Sequence, residues 1–255
     1  MFLIDTHSHI YLDAFEKDID DVIGRACEQG VGRIILPNID AASMSAMHEL
    51  SGKYPDICIP LIGLHPTHVK ENYRDELETI YKDLGKYPYP GIGEIGIDLY
   101  WDKTLFAEQK EAFTYQLRVA KENNLPVVIH ARESFREILD IVKKEDFDGL
   151  KGVFHAFTGN SDLAREITDL GYLLGIGGIL TFKNSGLDEV VKDIDLKYLV
   201  LETDAPYLAP VPFRGKRNES SYVLYVAEKL AEIKKNTVDE IAAVTSENAK
   251  RLFRL

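Results

Sequence analysis

Most of the histidines in this sequence stand directly after short apolar runs, together with two acidic residues. The sequence contains seven histidines. The residues that follow apolar runs are His7, His9, His65, Glu94, His130, His155 and Asp204. Imidazole nitrogens and carboxylate oxygens are the donors with which proteins bind zinc, manganese and magnesium. Any one of these residues alone would more often be an ordinary structural residue, but the joint pattern predicts a site for divalent metals.

The spacing of His7 and His9 and the carboxylate of Glu94 indicate how these residues would share metal ions. His7 and His9 are two positions apart, so on a strand both side chains point to the same side. Glu94 is the natural carboxylate to bridge two ions. The candidate metal ligands are His7, His9, Glu94, His130, His155 and Asp204. We expect them to bind two divalent cations, Mg²⁺, Mn²⁺ or Zn²⁺; imidazole favours zinc or manganese, whereas magnesium prefers oxygen.

Short apolar runs alternate with longer amphipathic stretches along the chain. The runs cover residues 2–5, 33–36, 61–64, 91–95, 126–129, 152–154, 172–176 and 198–201. The amphipathic stretches lie near 16–29, 41–53, 73–86, 104–124, 132–145, 160–170, 184–193, 219–233 and 237–253. This alternation predicts parallel strands with covering helices. The 255 residues suit a single (β/α)8 TIM barrel, residues 1–255, because such a domain takes roughly 250 residues.

A barrel explains why residues from distant parts of the sequence converge. All strand C-termini open onto one face, and catalytic groups lie on that face. A central strand holds proline poorly, so we start the third strand after Pro60. Gly175, Gly177 and Gly178 indicate backbone that turns sharply or approaches another group closely. No Gly-x-Gly-x-x-Gly opens the first helix, which argues against an open dinucleotide-binding sheet.

The composition bounds the class of protein. A formal charge of −12 argues against nonspecific coating of DNA, because phosphate contacts need Lys and Arg, but it allows an enzyme that binds a few phosphates. No apolar run reaches the ~18 residues of a membrane span, and we expect no signal peptide. Cys27 and Cys58 are the only cysteines, which favours a reduced, cytoplasmic protein. Nothing in the sequence indicates an obligate protein partner.

One dense basic stretch follows the eighth apolar run. It contains Arg214, Lys216 and Arg217. Loops at this end of TIM barrels often bind phosphate. Arg132 closely follows His130 and is suited to clamp a phosphate with two hydrogen bonds. We therefore expect all four basic residues to bind substrate phosphate; a solvated loop is the alternative interpretation of the basic stretch.

The same residues carry a resemblance to the TatD family of metal-dependent deoxyribonucleases. Seven segments resemble family motifs in the same order: 5–9 (DTHSH), 63–66 (GLHP), 93–98 (GEIGID), 126–132 (PVVIHAR), 155–159 (HAFTG), 201–206 (LETDAP) and 214–219 (RGKRNE). The resemblance therefore covers nearly the whole chain. The family usually has proline where this chain has Ser220, and cysteine or serine where it has Ala156. Neither position supplies a metal ligand.

The resemblance implies an amidohydrolase-like barrel with two metal ions. His7, His9, Glu94 and Asp204 would hold one ion, and Glu94, His130 and His155 would hold the second. Family members are nucleases that act from DNA ends, and some have been linked to the removal of D-amino acids from transfer RNA. The resemblance therefore implies DNA ends as substrate, with an ester bond in aminoacyl-tRNA as the alternative.

The chemistry of these groups suggests a role for each. Asp204 is suited to accept the proton of an attacking water as general base, while Glu94 bridges the metals. We assign His65 to the substrate phosphate, as donor or proton relay. Asp98 and Glu202 are candidates to orient ligating histidines through their far nitrogens, with ordinary buried ion pairs as the alternative. Two competing functions are an ester or amide hydrolase on the same barrel and a metal-loaded binding protein without turnover.

Overall fold

A computed structural model describes residues 1–82 and 84–255, in which eight parallel strands alternate with helices. The strands are β1 (Leu3–Asp5), β2 (Val31–Leu36), β3 (Cys58–Pro60), β4 (Ile92–Asp98), β5 (Val127–Arg132), β6 (Gly152–Phe154), β7 (Leu173–Ile176) and β8 (Leu199–Leu201). The α-helices of these residues are α1 (Ile19–Glu28), α2 (Met44–Lys53), α3 (Tyr73–Tyr81), α4 (Phe106–Glu122), α5 (Phe135–Val142), α6 (Ser161–Asp169), α7 (Leu187–Asp193), α8 (Val223–Lys234) and α9 (Val238–Phe253).

Two short bridges close the strands into a barrel. Strands β1 to β3 pair in sequence order, and so do β4 to β8. Ile62, just after β3, pairs with Ile92 of β4, and Ser8, just after β1, pairs with Ala205 beyond β8. The strands therefore form a (β/α)8 barrel, as the alternation of apolar and amphipathic segments predicts.

The barrel interior determines which way the candidate ligands point. Its apolar filling consists of Ile4, Ile35, Leu61, Val128, Val153, Leu173, Val200, Ala249 and Phe253. Because side chains on a strand alternate between its two faces, an inward Val128 places His130 inward as well. Val153 does the same for His155. The interior is thus apolar at the start of the strands and becomes polar further along them, since Glu94 and His130 lie within β4 and β5.

Helix α9 packs against the first and last strands of the barrel. Asn248 on this helix donates to the Leu199 carbonyl at the start of β8, at 2.8 Å. The helix begins with a capping box, in which Thr237 and Glu240 satisfy each other's backbone amides. In the part of the chain that the structure describes, every helix is too short or too polar to cross a bilayer.

The third strand differs from the prediction that it begins after Pro60. It is Cys58–Pro60 and ends at the proline. Pro60 stands opposite Leu36 of β2. The bonds to β2 are made by residues at odd-numbered positions, including the Ile57 carbonyl at 2.7 Å and the Leu61 amide at 2.9 Å. Alternate residues of a parallel strand face the partner, so the missing N–H of proline breaks no bond to β2.

Candidate metal centre

His7 and His9 bring two ring nitrogens together at the C-terminal end of the barrel. Their Nε2 atoms lie 3.1 Å apart. One oxygen of Glu94, Oε2, lies 3.1 Å from His7 Nε2 and 3.4 Å from His9 Nε2. Oδ1 of Asp204 lies 3.7 and 3.8 Å from the same two nitrogens. The structure therefore brings together the four residues that the family resemblance assigns to one metal.

The other oxygen of Glu94 faces a second group of imidazoles. Oε1 lies 2.9 Å from His130 Nδ1 and 2.8 Å from His155 Nε2, and these two nitrogens are 3.3 Å apart. His65 Nε2 also approaches Oε1, at 3.2 Å. Sequence reasoning leaves His65 outside the metal set, whereas the structure places it within the cluster. Each oxygen of Glu94 thus faces a different group, as a bridging carboxylate would.

The donor atoms of this cluster fit divalent metal ions. Five ring nitrogens lie within 3.4 Å of the Glu94 carboxylate, which has only about four lone-pair sites. Ligand atoms of a tetrahedral zinc-like ion would be ~3.4 Å apart. Burial alone would raise the pKa of Glu94, but His155, His65 and His7 hold it well below its usual range. The centre of the cluster is therefore an ionised carboxylate with more nitrogens around it than it can bind.

Asp98 and Glu202 approach the far nitrogens of two of these histidines. Asp98 Oδ2 lies 2.8 Å from His130 Nε2. Glu202 Oε1 lies 3.5 Å from His155 Nδ1, too far for a normal hydrogen bond, and accepts the Ala156 amide at 2.5 Å. The geometry suits an orienting role for Asp98 through direct contact, and for Glu202 through a longer ionic contact.

Gly175 of β7 leaves the space that Glu202 occupies. A Cβ at this position would lie 2.2 Å from Glu202 Oε2 and 3.0 Å from the Cα of His155. At Gly178 a Cβ would lie 2.1 Å from the Leu208 carbonyl oxygen. The close approach predicted for this group of glycines is confirmed at both positions.

Asp204 stands between the first histidine pair and the open space above it. Its backbone is left-handed, with a φ of 57°, and its amide donates to the His7 carbonyl at 2.8 Å. Burial raises the pKa of Asp204 to about 6, although His155 and His9 oppose the shift. The side chain remains 15% exposed. One carboxylate therefore contacts the cluster and also reaches the space that a substrate would enter.

Sequence reasoning missed two residues that support the first histidine pair. Asp5 is fully buried and accepts from the Thr203 amide at 2.9 Å and the Thr203 hydroxyl at 2.7 Å. Burial raises the pKa of Asp5 to about 7 despite these hydrogen bonds. The Tyr11 hydroxyl lies 3.0 Å from His9 Nδ1 and donates to the Pro37 carbonyl at 2.6 Å. The sequence signal that could identify these residues is their position, since Asp5 lies two residues before His7 and Tyr11 lies two residues after His9.

A cavity of about 730 Å³ lies over the cluster. Three of the four predicted phosphate-binding residues line it: Arg132, Arg214 and Lys216. Arg217 instead binds both carboxylate oxygens of Asp18, at 2.8 and 2.6 Å, and the Ala14 carbonyl at 2.6 Å. The structure therefore brings three of the cations to the cluster and engages the fourth in an ion pair at the start of α1.

Comparison with known proteins agrees with this arrangement. The family model described as TatD related DNase matches residues 4–254. The uncharacterized metal-dependent hydrolase YabD of Bacillus subtilis is 42% identical over 254 residues, which cover 99% of each chain. The 3'-5' ssDNA/RNA exonuclease TatD of Yersinia pseudotuberculosis is 34% identical over 248 residues, 94% of this chain and 95% of that protein.

A solved structure shows the same similarity in three dimensions. The crystal structure of YjjV, a TatD homolog from Escherichia coli K12, matches with a TM-score of 0.93 at 32% identity, covering 99% of this chain and 98% of that chain. The match thus extends over the barrel, the strand ends and the loops that carry the cluster. With its family motifs, its relatives and its fold in agreement, the chain belongs to the TatD family of metal-dependent hydrolases.

Proposed function

We propose that this protein is a metal-dependent deoxyribonuclease that removes nucleotides from DNA ends. The observation that carries the proposal is a single cavity lined both by the histidine and carboxylate cluster and by three cations, Arg132, Arg214 and Lys216. A phosphodiester carries negative oxygens on the group that reacts, so it needs metal ligands and cations in the same place. A small neutral ester would leave the three cations without a partner.

In this proposal the cluster supplies the ligands of two divalent ions. The first set is His7, His9, Glu94 and Asp204; the second is Glu94, His130 and His155. When bound, such ions polarise the phosphoryl group and lower the pKa of water. His65 lines the cavity and remains 13% exposed. We assign its ring to the substrate phosphate, as a donor or proton relay.

The side chains around the reacting phosphate have separate tasks. Asp204 accepts the proton of the attacking water as general base. Arg132 meets the charge that grows on the phosphoryl oxygens, and the Tyr100 ring, 4.0 Å from its guanidinium, orients it. Arg214 is supported in the same way by the Phe182 ring at 4.0 Å, and with Lys216 it holds a phosphate of the strand.

Cleavage from an end, rather than within a strand, rests on similarity to the relative named 3'-5' ssDNA/RNA exonuclease. The deciding experiment uses DNA, RNA and aminoacyl-RNA, each labelled at one end, with Mg²⁺, Mn²⁺ and Zn²⁺ supplied separately. We expect DNA to shorten progressively from one end with at least one metal. Chelation should abolish turnover while circular dichroism stays native, because a core of this size does not need metal to fold.

Two results of the same experiment would replace the proposal. Release of the amino acid from aminoacyl-RNA, with all strands left intact, would make the protein an ester hydrolase. Tight metal binding without turnover of any substrate would make it a metal-loaded binding protein. A separate digestion of a circular single strand tests the restriction to ends, because internal cutting of the circle would keep the nuclease activity but exclude that restriction.

A further inference from the structure

The loop between β4 and α4 exposes two aromatic side chains at the mouth of the metal cavity. Trp101 is 69% exposed and Tyr100 is 50% exposed. Among the residues that the structure describes, no large hydrophobic side chain is more exposed than Trp101. Trp101 lines the cavity directly. Two adjacent exposed aromatic side chains at the wall of a polar cavity are available to contact a ligand in that cavity.

The position of both residues is tied to the cluster. Asp98 Oδ1 accepts the amides of Tyr100 and Trp101 at 2.9 and 3.1 Å. The other oxygen of the same carboxylate contacts His130 Nε2 at 2.8 Å. Because one buried carboxylate binds both a candidate metal ligand and the loop, the backbone that carries the two rings is positioned relative to the cluster.

Arg132 lies against both rings. Its guanidinium carbon is 4.0 Å from the Tyr100 ring centre and 5.4 Å from the Trp101 ring centre. The two rings meet edge to face, with centres 4.9 Å apart. Tyr100, Trp101 and Arg132, here named the Trp101 platform, thus combine aromatic surfaces with an adjacent cation on the rim of the cavity.

A ligand that fits this platform has a flat aromatic face joined to an anion, since rings stack on flat faces and a guanidinium binds oxyanions. We propose that the Trp101 platform is a stacking subsite for an unpaired nucleobase, with the adjoining phosphate at Arg132 beside the cluster. The inference rests on the proposed nuclease function and adds to it the recognition of a base. Stacking accepts any base, so the subsite selects strands whose bases are free rather than a sequence.

The first test uses the fluorescence of Trp101, which is the only tryptophan in the chain. The metal-loaded protein is titrated with a short single strand of phosphorothioate DNA, which resists hydrolysis, and with a matched strand whose sugars lack bases. We expect the base-bearing strand to quench the emission and to bind roughly tenfold more tightly than the abasic strand. Unchanged emission at saturation, with binding followed by the anisotropy of a labelled strand, would overturn the subsite.

The second test is kinetic. Trp101→Leu removes the ring, Trp101→Phe keeps a smaller one, and Tyr115→Leu removes a tyrosine on α4 that is 43% exposed and serves as the control. We expect Trp101→Leu to raise KM for single-stranded DNA about tenfold with little change in kcat, because base stacking holds substrate and transition state alike. Trp101→Phe should recover most of the affinity. A wild-type KM in Trp101→Leu would contradict the proposal.

These measurements separate failure of the subsite from failure of the nuclease. Cleavage of DNA without any response of Trp101 overturns the subsite alone. A protein that neither binds nor cleaves any strand overturns both proposals. Sedimentation velocity tests the competing use of this surface: a dimer that forms without ligand and is lost in Trp101→Leu would assign the platform to a second copy of the chain.

Discussion

Asp98 Oδ2 lies 2.8 Å from Nε2 of His130, the ring nitrogen that faces away from Glu94. A carboxylate in this position accepts a hydrogen bond from the Nε2–H group and so leaves Nδ1 of the ring with a free lone pair. Nδ1 is the nitrogen directed at Glu94, 2.9 Å away. When a metal binds Nδ1, the contact with Asp98 therefore favours the tautomer that leaves this nitrogen unprotonated.

Replacing Asp98 with asparagine should weaken metal binding by about 10–100-fold, because an amide no longer enforces that tautomer. Competition with a coloured chelator measures the metal affinity directly. Glu133→Gln is the matched control, since Glu133 is an exposed acid whose partner is Lys103 at 3.5 Å. If Asp98→Asn bound metal as tightly as the control, the orienting role would be excluded.

Asp204→Asn should lower kcat by about 10²–10⁴-fold with a much smaller effect on substrate binding, because the amide cannot accept a proton from water. The asparagine keeps one oxygen for the metal, so metal content is measured in the same sample used for kinetics. A fully loaded variant that turns over at nearly the wild-type rate would remove Asp204 from the role of general base.

Lys216 and Arg217 are neighbours in sequence but should respond differently to alanine. Lys216→Ala should raise KM and reduce the slope of log affinity against log salt by about 0.7 for single strands, because one phosphate contact is lost. Arg217→Ala should instead lower Tm by about 2–4 °C, as expected for a loss near 1 kcal/mol, since it breaks the ion pair with Asp18. Salt titrations and thermal melts of both variants check the contrast. An Arg217→Ala protein with the wild-type Tm but a weaker salt dependence of DNA binding would contradict this contrast, because Arg217 would then contact the substrate phosphate.

Gly175→Ala should destabilise the protein by about 1–3 kcal/mol and weaken metal binding, because the new methyl displaces Glu202. Gly24→Ala in α1 is the control, since a Cβ there meets nothing within 4 Å. That control should be stabilising by about 0.5–1 kcal/mol, because alanine favours helix over glycine. Chemical denaturation gives the free energy of unfolding of both variants. Equal changes in this free energy would show that the contact between residue 175 and Glu202 does not cause the loss of stability.

The strands and the cluster were predictable from sequence because each depends on a local pattern. An apolar run followed by a histidine or an acid marks a strand and the group at its end, as at His130 and His155. The prediction that the third strand begins after Pro60 is wrong because it ignores the register with β2. This register determines whether the missing N–H of the proline faces β2, and the proline itself does not encode it. The bonds through Ile57 and Leu61 show that register only in three dimensions.

Other features depend on partners far away in sequence. Arg217 and Lys216 are adjacent basic residues, and the sequence does not distinguish their roles. Only the fold places Asp18, 199 residues earlier, against the Arg217 guanidinium. The exposure of Trp101 could not be deduced, because an aromatic residue near an apolar run more often belongs to the core. Tyr11 lies two residues beyond His9 in the sequence, but only the fold shows that its hydroxyl contacts the His9 ring.

The hydrogen bonds between Asp5 and Thr203 join positions 198 residues apart. During synthesis at about 5–20 residues per second, His7 and His9 therefore wait roughly 10–40 s for the last part of their site. In a chain that is released earlier, the barrel cannot close and the Asp204 carboxylate is absent. A prematurely terminated chain should thus lack the proposed cutting activity, so that the protein becomes competent for catalysis only after the eighth strand has been made.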